Sequence, residues 1–315
     1  MEKQEAKPNE MSADRARPGG LLYHYTTQEA LLNILYKGCI WATHVRYLND
    51  ESEFVLAWKR LRDIFHELIR ASDYLHKEET VKAFSSIHST ILDRPNLTTY
   101  FVWCLTDDEL IRDSAGDRLS QWRGYSRGKQ AFSLGFDYDI LQTSFSARQE
   151  LLRFNIRPCG YDDADQNAAL RKIAERHFQP MIHGINSAIQ QMRNQDSISE
   201  SARKYFLSPL LAMYMDFVEP AAFMKHPGFS EEREWRCVFL AKDNSECSFR
   251  ESNFGLTPYL EIEPSLNSSP SPLKRIVVGP GPHKDEWVTT VNLMLAKCSI
   301  TGVEIVPSQI PYRNW

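Results

Sequence analysis

The stretch Phe229–Leu240, FSEEREWRCVFL, decides how the rest of the chain is read. From Glu232 it alternates with the period of a β-strand. That sets Glu232, Glu234 and Arg236 on one face and Trp235, Cys237 and Phe239 on the other. The second set suits a core. The first places two carboxylates beside a guanidinium, which is either a solvated strand face or a group with chemistry to do, since charged side chains are seldom buried unpaired. Two more stretches supply what such chemistry would need. Leu21–Thr26 (LLYHYT) carries a histidine, and Leu119–Tyr125 (LSQWRGY) carries aromatics and an arginine.

Around these stretches lies a chain of 315 residues, 42% of them hydrophobic, enough for a substantial core. Its 37 basic and 41 acidic residues give a net charge of −4, so no global electrostatic signature for nucleic acid exists. A local basic strip, Arg118, Arg123, Arg127 and Lys129, suits a phosphate-bearing ligand and equally an ordinary surface loop. Residues 1–19 are polar with no apolar run, and read as a disordered arm rather than a signal peptide. No stretch is apolar enough for a membrane helix, and the six scattered cysteines show neither CxxC pairs nor metal-ligand spacing, so reduced thiols and a cytoplasmic setting are expected.

Along the chain, LLYHY reads as the first strand. Thr26 with Glu29 reads as a capping box that starts a helix, and Gly38 stands where a left-handed cap would end it. CIWATHVRY reads as extended, and Asp50 with Glu53 as a second capping box before a long amphipathic helix through Phe54, Trp58, Leu61 and Phe65. Thr99–Leu105 reads as a buried strand, and AFSLGFD as another in which Gly135 marks a bulge or a close approach. Helix dominates 162–217, with interruptions expected at Pro180, between 194 and 200, and at Pro209. This reads as a helical insertion between two strands of one sheet. The last fifth reads as strand, helix, strand.

The fold class that follows is α+β, with residues 20–315 as a single domain on a mixed or mainly antiparallel sheet. The strands of His24 and Glu234 are expected near each other in it.

The runs YHYT, WATHVRYLNDESE, LSQWRGY, SLGFD, KHPGFSEEREWR and IPYR resemble the bacterial family named domain of unknown function 2971. More distantly, a histidine on the first strand, a middle aromatic and a late Glu-x-Glu resemble the ADP-ribosyltransferase superfamily. That resemblance implies an ADP-ribosyltransferase-like fold and NAD as substrate, with no metal. The activity would be transfer to an unknown macromolecular acceptor or NAD hydrolysis, in bacterial conflict or phage defence. It implies that Glu234 stabilises the ribosyl cation, Glu232 orients the acceptor, His24 contacts a ribose or the adenosine, and Tyr125, or else Trp122, stacks on nicotinamide. Tyr25, Thr26, Arg123 and Arg236 complete the implied NAD-binding set. The chain departs from the superfamily in lacking a clear serine-threonine-serine run before the glutamates.

Taken singly, each of these residues has an ordinary structural explanation. Two rival readings therefore stand beside the enzyme: a catalytically inactive ligand-sensing or protein-binding module of the same fold, and a metal-dependent nuclease or hydrolase using His24, Asp50 and the glutamates.

Overall fold

A computed structural model describes residues 17–48, 51–74, 77–92, 99–107, 115–126, 130–146, 153–194, 200–241, 244–252 and 255–312. The arm assigned to residues 1–19 falls outside them up to position 16, and so does Asp50 of the second capping box. In chain order the elements are β1 (Leu22–Thr27), α1 (Gln28–Lys37), β2 (Ile40–His44), α2 (Glu51–Ala71), α3 (Lys77–Leu92), β3 (Tyr100–Asp107), α4 (Leu119–Tyr125), β4 (Ala131–Phe136), α5 (Tyr138–Ser146), β5 (Arg153–Pro158), α6 (Asp163–Asn194), α7 (Glu200–Ala221), β6 (Glu234–Leu240), β7 (Ser248–Ser252), β8 (Gly255–Ile262), β9 (Leu273–Val278), α8 (Lys284–Lys297) and β10 (Glu304–Pro307).

The ten strands form one sheet in an α+β fold. All described pairings between strands are antiparallel except β9 with β10, the two strands joined by α8. β3 is its hub. One edge of β3 pairs along its length with β6, from Tyr100 opposite Leu240 to Thr106 opposite Glu234. The other edge is divided. β1 pairs there only through Leu22 and Tyr23, opposite Asp107 and Thr106, and β2 only through Thr43 and His44, opposite Val102 and Phe101. At Cys104, between these two short ladders, β3 has no strand partner on that edge among the described residues. The strands of His24 and Glu234 thus flank β3, close together as the sequence suggests.

One sheet face packs under α1, α5 and α8, and takes in Trp103, Leu105, Trp235, Cys237 and Phe239. The opposite face is covered in two patches. α2, α6 and α7 lie over Val102 and Val238, while α4 and the C-terminal tail lie over Tyr23, Tyr25 and Val277. No described helix is long and apolar enough to cross a membrane.

Local sequence accounts for much of this. Thr27 caps α1 by accepting from the Ala30 N–H at 3.4 Å, and Gly38 closes the helix at φ 67°. The cap falls at Thr27, one residue past the expected Thr26, because β1 runs on to Thr27. At Gly135 a Cβ would lie 2.7 Å from the Tyr23 ring, and the β4–β9 register shifts at the same place. The expected close approach and the expected bulge therefore both occur.

The insertion is α6 and α7, between β5 and β6, which pair with each other. Its prolines do not interrupt it. α6 runs through Pro180, and α7 through Pro209 and Pro220. A proline costs an internal helix about 3 kcal/mol, but Met181, Ile182, Leu210 and Met213 beside these prolines are buried in the core, and full burial of such side chains stabilises by about 1.5–3 kcal/mol each.

The opening stretch needs a second correction. The strand starts at Glu234. Pro227–Glu232 forms a 3-10 turn, and Arg233 takes a left-handed φ of 44° between them. Glu232 therefore lies off the alternation that was expected to align it with Glu234 and Arg236.

Candidate functional site

Glu234 and Arg236 are buried, 6% and 3% exposed, so their face is not the solvated one that the charge pattern allowed. Glu234 is bonded on both carboxylate oxygens. Arg236 Nε donates to Oε1 at 2.6 Å, and Lys225 Nζ, itself buried, donates to Oε2. Lys225 also donates to Glu232 Oε2 at 2.7 Å, and Arg236 Nη1 donates to the Ala222 carbonyl at 2.8 Å. Two carboxylates and two cations thus form one neutral cluster at the start of β6. Burial by itself would push the Glu234 carboxyl up. The charges and hydrogen bonds of Arg236 and Lys225 more than reverse this and hold it at about 2. Burial would likewise lower Lys225, but Glu234 and Glu232 outweigh it and push the amine above its ordinary value.

Cys104, half-buried on the central strand and on the same face as Glu234, packs against the patch formed by α2, α6 and α7. Its thiol is hydrogen-bonded to the Glu234 carboxylate, and burial together with that carboxylate pushes its pKa up. Tyr125, half-buried at the end of α4, stands within the electrostatic reach of Cys104, Glu234 and Glu232. Burial, then these groups, raise its hydroxyl pKa, so it stays a neutral phenol at physiological pH. Tyr161 accepts from the Glu234 N–H at 2.8 Å and fixes the first residue of the strand.

His24 is placed differently. Alternation along β1 puts it with Leu22 on the face of Trp103, whose ring lies 5.3 Å away, and opposite to the Glu234 face. Where β1 parts from β3, its ring turns to the strand edge, and Nδ1 lies 2.9 Å from the Cys104 carbonyl. A carbonyl only accepts, so Nδ1 carries the proton. His24 thereby satisfies a backbone group that the divided edge leaves without a strand partner. Burial lowers its pKa to about 4, with Arg250 adding to the effect, and the ring is neutral at pH 7. Cys104 links His24 and Glu234, two of the three predicted catalytic residues, through its carbonyl to His24 and its side chain to Glu234.

Of the remaining implied residues, Tyr25 and Trp122 share a packed cluster with Tyr125. Tyr25 and Trp122 are core residues packed edge to face at 4.8 Å, and the Tyr25 hydroxyl accepts from the Arg118 N–H at 3.0 Å. Thr26 is buried, and Arg123 is exposed with its guanidinium 5.7 Å from the Tyr312 ring. Of the basic strip, Arg118 donates to the Glu231 and Asp107 carbonyls, whereas Arg127 and Lys129 lie outside the described residues. Lys225, Cys104 and Tyr161 were not singled out from sequence. Only Lys225 left a signal: a lysine ending the apolar run PAAFM needs a carboxylate if it is buried with its neighbours, and Glu231, Glu232 and Glu234 follow within nine residues. All six cysteines are free thiols, and among the described residues no cluster of three or more His, Cys, Asp or Glu is arranged to hold a metal.

The position of Tyr125 depends on a strap. Buried Asp117 accepts from Trp122 Nε1 at 2.6 Å, from Ser308 Oγ at 2.5 Å and from the Gln309 N–H at 2.7 Å, tying the C-terminal tail to α4. Asp117→Ala leaves all three donors without their acceptor and is expected to cost about 2 kcal/mol. Urea unfolding measures this, and an unchanged midpoint would show that the strap carries no stability.

A family model described as a protein of unknown function (DUF2971) matches residues 121–237, from within α4 to the fourth residue of β6. The matched part includes Tyr125, Lys225, Glu232, Glu234 and Arg236, while His24 and Cys104 precede it. Neither the curated proteins nor the solved structures give a match.

Proposed function

We propose that this protein is a ligand-binding module that holds a nucleotide-like ligand beside the half-buried Tyr125 and does not cleave it. The observation that carries this reading is the engagement of both Glu234 oxygens by buried cations. A carboxylate that stabilises a ribosyl cation must direct its charge at the sugar, in a dry site where that charge is worth most. Here the charge is already met by Arg236 and Lys225. Glu234 is left to anchor the start of β6. The ligand class comes from the resemblance to the ADP-ribosyltransferase superfamily, and the half-buried Tyr125 ring supports it as a surface on which a base can stack.

The NAD-using transferase or glycohydrolase is the second reading. It is favoured by Tyr125 and Glu234 standing on one side of the sheet, with Glu234 ionised at any pH well above about 2. On that reading Glu234 stabilises the cation and Glu232 orients an acceptor.

Calorimetric titration with NAD and with ADP-ribose, run alongside an assay for free nicotinamide, separates the two. Binding with no nicotinamide release above the protein-free control supports the module. Steady release that disappears in a folded Glu234→Gln variant transfers the assignment to the enzyme. Absence of heat with both compounds removes nucleotides as the ligand class.

A further inference from the structure

Lys225 belongs to two features at once. On one side it closes the ion cluster. It also lines a cavity of about 280 Å³ between α2 and the segment 224–229, in a part of the fold built by the helical insertion. Leu56, Ala57, Met224 and Phe229 give the cavity apolar walls. Its volume falls just below the roughly 300–1,000 Å³ of pockets that hold drug-sized ligands, so it suits one ring system rather than a whole dinucleotide.

The polar lining narrows the chemistry further. Gln166 spends its amide N–H groups on the Gly160 and Lys225 carbonyls, both at 2.8 Å, and its carbonyl accepts from Arg60 Nη1 at 3.1 Å. Arg60 also pairs through Nη2 with Asp163 at 2.8 Å. A guanidinium has five N–H groups, so Arg60 keeps donors beyond these two bonds, while the amide donors of Gln166 are spent. The cavity therefore offers apolar contact together with donors. Phe229, 37% exposed, supplies an aromatic surface, its ring 5.2 Å from Lys225 Nζ, and Met224 a polarisable thioether.

We infer that this cavity is the subsite for a planar heteroaromatic ring bearing hydrogen-bond acceptors, held against Phe229 and Met224 with Arg60 donating to its edge. Lys225 joins this ring site to the ion cluster. The rest of the ligand rests on the nucleotide-binding reading; the ring site can be tested without it.

The probes are adenosine, AMP and nicotinamide, followed by saturation-transfer NMR with the full chain. At least one ring should receive saturation. Phe229→Ala, at a partly exposed position, should weaken that probe about two- to tenfold through the lost ring contact. Leu56→Trp, at a position 39% exposed, should block the cavity and abolish the signal. No transfer to any of the three probes overturns the inference, as does equal binding by both variants. ADP-ribose that binds Leu56→Trp as tightly as the wild type overturns the ring site and leaves the module standing. A ring that binds through Phe229 while ADP-ribose does not bind at all keeps the ring site and removes the module.

Discussion

Replacing Glu234 with glutamine is expected to lower the stability of the folded chain by about 3–5 kcal/mol, the usual cost of removing one partner from a buried ion pair. Glutamine preserves the shape but withdraws the charge that Arg236 and Lys225 share, and Arg236 is 3% exposed. The depressed carboxyl gives an independent scale. A fall from its ordinary value of 4.5 to about 2 corresponds to about 3 kcal/mol of stability. The sign follows from linkage. The unfolded chain takes up the proton first, so the contribution is complete above the unfolded value and is lost as pH falls from there through about 2. Glu232→Gln should cost only about 1 kcal/mol, because that side chain is 30% exposed and Lys225 keeps Glu234. Urea midpoints for the two variants test the contrast. A Glu234→Gln protein as stable as the wild type would mean that the cluster does not hold β6 in place.

His24 is expected to produce the second large effect, a loss of stability in mild acid. Its pKa falls from 6.5 to about 4 on folding, so between those values the unfolded chain binds a proton that the folded chain refuses. Stability from this group is therefore full above pH 6.5, declines as pH drops toward 4, and changes by about 3 kcal/mol over the window. Other groups that face the site titrate elsewhere: Glu234 is held at about 2, and Tyr125 and Lys225 are raised. His24→Gln keeps a donor for the Cys104 carbonyl yet cannot titrate. Its urea midpoint should depend less on pH between 6.5 and 4 than that of the wild type. Identical slopes would place the acid sensitivity at another residue and deny His24 its neutral, half-buried state.

Much of the fold was legible in local patterns. Alternation in EWRCVFL correctly assigns Trp235, Cys237 and Phe239 to a core face, and the helical spacing of Phe54, Trp58, Leu61 and Phe65 marks the buried side of α2. Gly38 marks the end of α1 and Gly135 the bulge against Tyr23. Short elements without a clear period, such as β5 (RFNIRP) and β7 (SFRES), left no usable signal. A strand needs only a partner with free backbone groups, and the identity of that partner is not written in six residues.

The site was legible only in part, and the boundary has a physical cause. Periodicity determines which side chains share a face, so the sequence by itself determined that Glu234 and Arg236 lie together, that a helical stretch near 162–217 is inserted between two strands of one sheet, and that the sheet is mixed or mainly antiparallel. It does not determine what covers a face. Whether Glu234 met water, a sugar or a lysine depended on where the segment before β6 returned to the sheet, and tertiary packing brought Lys225 there. Likewise, His24 reaches Cys104 only because β1 and β2 divide one edge of β3, leaving at that point a carbonyl that a side chain must satisfy.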